Sequence, residues 1–383
     1  MKLTSLYVAL LAFCSLTACS EDKGSEIDQA GKEASLSLQI RVPQIGTRAE
    51  VGTVDVKRLF VAVFDGGGTL LTTREVADNG GVNTIKDIKP LPEGEVQLFL
   101  IANAPAGTFG DMDTIDEFLA ATHQLSDEVE GRFTLSSGIV RYTLVEGLNS
   151  IGTGSGHILS ANPMTLYRNV AAVSLSKITM NPEANYATDA SFKLKSVFMA
   201  NVKDHSYYMS RSNWGAVEVM DSGFLCGQED LINLEGEYKK GPAIYDATFN
   251  HLYAGNTPDL SLVQGGEITT VSDPFYVYEN MKDDTNHTLL IIHGDYTYTD
   301  GNGISVTETD RYYTVIVNRQ HSSISGVEEH LYVKRNVVYT IDVILKGPGS
   351  PDPFNPSAND DTTLTAAITV VSWGKVVESP VID

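Results

Sequence analysis

Residues 36–42 read LSLQIRV, and polar and apolar side chains alternate in this stretch without a break. The apolar residues lie two positions apart and share one face of an extended chain: Leu36, Leu38, Ile40 and Val42. The polar residues between them share the opposite face: Ser37, Gln39 and Arg41. Such alternation is typical of a β-strand with one face in a core. We therefore predict a half-buried strand here.

Short runs rich in β-branched and aromatic residues continue along the chain, separated by Gly, Asn, Asp and Pro. Examples are RLFVAVFD at 58–65, VQLFLIANA at 96–104, VVYTIDVIL at 337–345 and TTLTAAITVVSW at 362–373. One segment, MDTIDEFLAATHQL at 112–125, has helical spacing, with Asp113 as its expected N-cap. The pattern predicts an all-β fold with minor helical insertions, most simply two β-sandwiches.

The boundary between the two domains is expected in residues 155–170, where a Gly-rich loop and a proline precede a new β run. We divide the chain into 1–18, 19–48, 49–165 and 166–383. The last two segments are the predicted N-terminal and C-terminal β-sandwich domains. A second Gly/Pro stretch, KGPGSPDPFNPSANDD at 346–361, is expected to connect the final strand without joining a sheet or helix.

The first 18 residues are predicted to be a signal peptide. Lys2 supplies the positive charge, residues 6–16 are apolar but too short to span a bilayer, and LTAC follows at 16–19. LTAC resembles the lipobox of bacterial lipoproteins, which implies acylation of Cys19; the alternative is an ordinary signal peptide. Cys14 would leave with the signal peptide and Cys226 would remain alone, so we predict no disulfide and no cysteine metal site.

The charge balance argues against a nucleic-acid binder, because 49 acidic and 27 basic residues give a net charge of −22. GTGSG at 152–156 lacks the lysine and the helix of a phosphate-binding loop. His287 and His293 lie six residues apart, but no carboxylate in the sequence pattern completes a ligand set. We find no nucleophile elbow or zinc motif. The sequence predicts no enzyme, no cofactor and no metal site.

The chain resembles the FimA-type major fimbrillins, the shaft subunits of protease-assembled type V pili. The segments that carry this resemblance occur in the family's order: LTAC, LSLQIRVPQIGTRA at 36–49, RLFVAVFDGGG at 58–68, LFLIANAPAG at 98–107, IGTGSGHI at 151–158, NPMTLYRNVAAVSLSKI at 162–178, FYVYEN at 275–280, VKRNVVYTIDVILKGPGSPDPFNP at 333–356 and AAITVVSWGKV at 366–376. Residues 205–270 have no counterpart among these segments. The resemblance implies two transthyretin-like β-sandwich domains.

The resemblance also implies a maturation pathway. An outer-membrane lipoprotein precursor would be cut by an Arg-specific cysteine protease between Arg48 and Ala49, and residues 19–48 would leave as a propeptide containing the strand with Leu36, Leu38, Ile40 and Val42. A C-terminal donor strand of the adjacent copy would then fill the vacated groove. The expected donor residues are Val371, Trp373, Val376, Val377, Val381 and Ile382.

Further expectations follow from that pathway. The partners would be copies of the chain in a head-to-tail filament, the protease, and minor tip and anchor pilins, at a fimbrium on the cell surface that mediates adhesion and biofilm formation. The segment from Gly347 to Asn355 is expected to be mobile in the monomer and ordered in the filament. The extent of the donor stays open between the last few residues and the whole segment from Thr362.

Two alternative functions remain at this point. One is a tip or anchor subunit of the same pilus, although Arg48 and the donor-like end favour the shaft. The other is a surface glycan-binding lipoprotein, for which Tyr207, Tyr208 and Trp214 are the candidate aromatic platform.

Overall fold

Strands dominate the structure, a computed structural model that describes residues 33–43, 54–77, 81–209, 222–253, 260–269, 271–280, 286–319, 330–355 and 364–373. Within these ranges the chain forms 25 strands, one short α-helix and a few single 3-10 turns. The predicted fold class, all-β with minor helical insertions, is confirmed.

The first half of the chain contains β1 to β12 and the helix. In chain order these are β1 Glu33–Arg41, β2 Arg58–Asp65, β3 Leu70–Ala77, β4 Thr84–Pro92, β5 Gly94–Ala102, α1 Ile115–Ala120, β6 Thr122–Gln124, β7 Leu135–Ser136, β8 Val140–Leu144, β9 Gly147–Ile151, β10 His157–Ser160, β11 Met164–Thr165 and β12 Tyr167–Arg168. A 3-10 turn spans Leu125–Asp127.

The second half contains β13 to β25. These are β13 Ala171–Met180, β14 Ser191–Lys203, β15 His205–Tyr207, β16 Phe224–Cys226, β17 Ile244–Tyr245, β18 Asn250–Leu252, β19 Ser261–Val263, β20 Glu267–Thr269, β21 Phe275–Val277, β22 Leu289–Thr299, β23 Ser305–Ile316, β24 Val337–Leu345 and β25 Leu364–Ser372. Further 3-10 turns span Ala184–Tyr186, Glu229–Leu231 and Ala247–Phe249.

The strands up to β12 form two sheets. One has the order β10-β9-β1-β11, with β4 on the other edge of β1. The other has the order β12-β7-β5-β2-β3, with β8 on β5. Strand β2 is apolar from Leu59 to Phe64 because both faces of this part are covered: Leu59, Val61 and Val63 enter the main core, while Phe60 and Phe64 pack near α1.

The strands from β13 onward form two more sheets, β20-β13-β24-β25 with β21 and β17-β16-β14-β22-β23 with β18 and β19. A two-stranded ribbon of β6 and β15 connects the two halves. One apolar core includes residues from all four larger sheets. Sheet membership changes between residues 168 and 171, close to the predicted boundary, but the division into two domains stays a prediction.

The helix is shorter than predicted and starts one residue later. Thr114, not Asp113, is the N-cap: its hydroxyl accepts from the Glu117 amide, and the Glu117 carboxylate accepts from the Thr114 amide. The chain leaves the helix after Ala120, and residues 122–124 pair with β15 instead. The helical spacing at residues 112–125 therefore predicts a longer helix than the structure contains.

The segment from Gly347 to Asn355, which the sequence predicts to be mobile in the monomer, makes several defined contacts in this structure. The Tyr313 hydroxyl donates to the Gly347 carbonyl at 2.6 Å, and Ser350 exchanges two backbone hydrogen bonds with Tyr312. Phe354 is fully buried in an apolar cluster beside β14 and β22. Glycine and proline prevent a regular ladder here, but one buried aromatic side chain and local hydrogen bonds connect the segment to neighbouring strands.

Candidate functional site

The predicted removable strand, β1, lies inside a sheet with partners on both edges. It pairs antiparallel with β4, where Leu36 faces Ile88 and Leu38 faces Ile85. On the opposite edge it pairs parallel with β9, and β11 continues beside Ile40 and Arg41. Removing β1 would therefore open a slot lined by two sheet edges.

The apolar face of β1 points into the core, as the alternation predicts. Leu36 and Leu38 are fully buried, Ile40 is 5% exposed, and Val42 is half-buried against the same core. Full burial of such a side chain contributes about 1.5–3 kcal/mol, so the three buried residues contribute about 5–9 kcal/mol. This is comparable with the whole stability of a typical domain, about 5–15 kcal/mol.

Two polar contacts fix the register of β1 in the slot. The buried Asn149 side chain donates to the Ser35 carbonyl at 3.2 Å and also bonds both backbone groups of Val145. The amide of Asp87 donates to the Ser37 hydroxyl at 3.2 Å. Asp87 has a φ of 54°, in a part of β4 where the pairing register shifts. This irregularity covers Ser37, which the sequence placed on the outer face.

Hydrogen bonds from two arginine side chains connect the C-terminal end of β1 to the rest of the molecule. Arg41 Nε donates to the Thr165 hydroxyl at 3.0 Å. The next contact is made by Arg168, whose Nη1 donates to the Pro43 carbonyl at 3.1 Å. The predicted cleavage pair, Arg48 and Ala49, lies outside the described residues, as does Cys19.

The last described strand, β25, is paired within its own sheet. It runs antiparallel to β24 from Leu345↔Leu364 to Val337↔Ser372. Val371 points outward and is 39% exposed, whereas Trp373 is fully buried. In this structure Val371 belongs to β25 and Trp373 to the core, and the role of both as donor residues in a neighbouring subunit stays a prediction. The other predicted donor residues lie outside the described part of the chain: Val376, Val377, Val381 and Ile382.

Trp373 is held through its ring and both backbone groups. Its amide donates to the Asn336 carbonyl at 3.0 Å, and its carbonyl accepts from Arg168 Nη1 at 3.0 Å. The guanidinium carbon of Arg168 lies 4.7 Å from the centre of the indole ring, and Tyr276 stacks on that ring with centroids 5.9 Å apart. Burial lowers the pKa of Arg168 to about 10, an effect opposed by the nearby Tyr276. At neutral pH the side chain stays a cation.

Two family models match the chain. Residues 34–168 match the model described as the major fimbrial subunit protein FimA, and residues 253–373 match the C-terminal domain of Fim1C-like fimbrium tip subunits. The first match begins with β1 and ends at Arg168. The second ends at Trp373. Together the two matches span more than half of the chain. These matches identify the chain as a fimbrial subunit with a FimA-type domain in its first half.

Individual relatives agree with this assignment over their full lengths. A Parabacteroides distasonis protein named "Putative fimbrium tip subunit Fim1C" is 26% identical over 100% of this chain and 99% of its own. The "Major fimbrium subunit FimA type-3" of Porphyromonas gingivalis is 24% identical over 99% of both chains. A crystal structure of a "Putative cell adhesion protein" from Parabacteroides distasonis superimposes with a TM-score of 0.72 at 28% identity, over 90% of this chain and 99% of that one.

The other candidate residues of this fimbrial subunit do not converge on a chemical site. Within the described ranges, no group of three or more His, Cys, Asp or Glu side chains has metal-ligand geometry. His293 contacts Asp310 at 3.0 Å, whereas His287 stacks on Tyr332, so the two histidines have different surroundings. Burial raises the pKa of the Cys226 thiol. No helix in the described residues is long and apolar enough to cross a membrane.

Of the three aromatic residues predicted as a glycan-binding platform, Tyr208 is buried. Tyr208 is 3% exposed and stacks on His123 with centroids 4.3 Å apart. Tyr207 is half-buried in β15, and Trp214 lies outside the described residues.

Sequence reasoning missed three residues of this site: Arg168, Asn336 and Asp87. The first two had a signal, because an Arg-Asn pair directly precedes each of the apolar runs that become β13 and β24. A charged residue directly before an apolar run is unusual, since buried cations require dedicated partners. Asp87 carried no comparable signal.

Proposed function

We propose that this fimbrial subunit is made as a lipoprotein precursor, is cut after Arg48, loses β1 and accepts a donor strand from another subunit in the vacated slot. The interior position of β1 carries this proposal. It is the first described strand, and a single cut in the segment that follows it would free it from the rest of the chain. Before the cut, an acylated Cys19 would anchor the precursor in the outer membrane.

The energetics favour exchange over a permanently empty slot. Loss of β1 uncovers apolar surface worth several kcal/mol and leaves the facing edges of β4 and β9 without partners. An open edge beside an apolar groove is a template for strand addition. A donor with apolar residues at alternate positions restores the hydrogen bonds and the burial together.

The structure bears on the open question of the donor's extent. In β25 the alternate residues Leu364, Ala366, Ile368 and Val370 repeat the spacing of the β1 face. Only Val370 among them is fully buried, and β25 ends the strand order of its sheet. By contrast, residues 374–383 include Pro380, which has no amide hydrogen for a ladder. These features support the longer donor, from Thr362, which retains Val371 and Trp373 as donor residues after detachment.

Shaft and tip positions are both compatible with this slot. In the shaft, which we favour, the chain accepts a donor and also gives its own C-terminus to the next copy. Slot and donor lie at different places, so the contact is heterologous and generates an open filament. The match of residues 253–373 to the tip-type domain, together with the docking of Trp373 in its own core, favours the second candidate, a tip that accepts a donor but gives none.

Electron microscopy before and after limited Arg-specific proteolysis tests the proposal. The cut shaft subunit should form filaments on its own, whereas uncut protein and the Arg48→Ala variant should not. Cut protein that stays monomeric, yet binds a synthetic peptide of residues 362–383, would identify a tip. Cut protein that retains residues 33–43 and binds no peptide would exclude strand exchange altogether.

A further inference from the structure

We propose that Arg168 is a latch that couples removal of β1 to release of the C-terminal strand. One nitrogen, Nη1, donates to the Pro43 carbonyl at 3.1 Å and to the Trp373 carbonyl at 3.0 Å. Pro43 is the last described residue on the departing side of the cut, and Trp373 is the last described residue of the C-terminal strand. This inference rests on the proposed function.

The latch belongs to the part of the molecule that stays behind. Arg168 lies in β12, which pairs with β7, and its own amide donates to the Asn336 side chain at 3.1 Å. Asn336 also accepts the Trp373 amide and donates its own amide to the Val170 carbonyl. Arg168 and Asn336 therefore clamp both backbone groups of Trp373, and their own contacts with β7 and Val170 do not involve β1.

Desolvation makes the clamp sensitive to β1. The Arg168 side chain is 1% exposed, so while Pro43 is in place water has little access to the guanidinium. In such surroundings a charge-assisted hydrogen bond is stronger than in water. When β1 leaves, Arg168 loses one carbonyl partner, and water enters the vacated volume and competes for the other. The hold on Trp373 then weakens.

The consequence is an order of events. An uncut precursor keeps β25 docked, and a cut subunit releases it. Donor strands would then become available only on subunits whose own slot has been opened, which suppresses premature pairing among precursors.

Hydrogen exchange on the full soluble precursor, before and after Arg-specific cleavage, tests the latch. The probe is the exchange rate of peptides covering residues 364–373, supported by the emission of Trp373. The chain has two tryptophans, so a Trp214→Phe background isolates that emission. In the wild type, cleavage should raise exchange about tenfold or more, the scale expected for loss of a hydrogen bond to a charged group. Arg168→Gln should raise exchange in the uncut protein and remove most of the further response.

Two variants separate coupling from simple damage. Arg168→Lys keeps a cation that can donate to two carbonyls and should restore part of the response to cleavage. Arg41→Gln changes the same residue type at the same end of β1, where Arg41 contacts Thr165, and should leave exchange at 364–373 unchanged before cleavage. If Arg168→Gln fails to fold, the comparison of Arg168→Lys with wild type decides.

The outcomes distinguish the latch from the proposed function. If exchange at 364–373 does not respond to loss of β1, or responds equally in wild type and in the Arg168 variants, the latch is wrong even where filaments form. If the response depends on Arg168 but cut protein neither polymerises nor binds a donor peptide, the latch stands and strand exchange fails.

Discussion

Arg168 and Trp373 are separated by 205 positions in the chain, yet the guanidinium of one contacts both the ring and the carbonyl of the other. The same guanidinium reaches Pro43. Three contacts that the sequence does not place together thus meet at one buried cation. The segment that ends at Pro43 and the segment that ends at Trp373 are therefore coupled through Arg168. A substitution in one segment should change the stability of the other.

The first prediction concerns the membrane anchor. Cys19→Ala removes the residue whose thiol would be acylated, so the variant should not incorporate radiolabelled palmitate or reach the outer membrane. Cys14→Ala is the matched control, because Cys14 lies within the predicted signal peptide, and it should be labelled normally. Palmitate on the Cys19→Ala protein would refute the lipoprotein assignment.

The second prediction concerns maturation. Arg48→Ala should give a stable, lipidated precursor that does not polymerise, because β1 stays covalently attached in its slot. N-terminal sequencing of wild-type surface filaments should begin at Ala49. Arg41→Ala, a change at the end of β1, should still permit cleavage after residue 48. Filaments that start at another residue would place the cut elsewhere.

The third prediction concerns the register of β1. Leu38→Asp buries an unpaired carboxylate among apolar side chains, so the free energy of unfolding of the uncut precursor should fall by about 3 kcal/mol or more. Gln39→Asp puts the same residue on the half-buried opposite face and should cost about 1 kcal/mol or less. Urea unfolding followed by circular dichroism measures both. Equal losses would mean that the face pointing inward is not the one described.

These predictions depend on how much of the structure was readable from local sequence. Strand β1 was predicted correctly because alternation is a property of neighbouring residues, and the burial of Leu36 and Leu38 follows from it. The burial of Ser37 was not predictable, because it depends on an irregularity at Asp87 in a strand about 50 positions away. The family resemblance, carried by segments along the chain, was confirmed.

Long-range contacts account for other features that the sequence did not predict. The glycine and proline residues between Gly347 and Asn355 predict that this segment forms no β-ladder, as the structure shows. Composition alone could not predict that Phe354 packs into an apolar cluster. The role of Arg168 depends on Pro43 and Trp373, which flank it at 125 and 205 positions. In the sequence, Arg168 differs from other charged residues only by its position at the start of an apolar run. That position does not indicate which residues Arg168 contacts.

The last prediction concerns the extent of the donor. A chain ending at Trp373 keeps β25 and its clamp, whereas a chain ending at Asp361 lacks the whole strand and exposes the edge of β24. If residues 374–383 are the donor, both truncations should abolish filaments after cleavage. If the donor is the longer segment, the chain ending at Trp373 should still polymerise, because it retains Leu364, Ile368 and Val370 for the slot of the next copy.

Folding must be followed in parallel, because a donor serves another molecule and its loss should spare the rest of the fold. The free energy of unfolding of the chain ending at Trp373 should therefore lie within about 1 kcal/mol of that of the full-length precursor, since this chain retains Trp373 and its hydrogen bonds to Arg168 and Asn336.

The matched control is Val371→Asp, an outward-facing position in β25 that is 39% exposed in the monomer. This variant should fold normally. If β25 enters the slot of the next copy with Ile368 and Val370 facing inward, Val371 faces outward there as well, and the variant should also polymerise. Normal filaments from Val371→Asp and from both truncations would mean that the donor is not at the C-terminus.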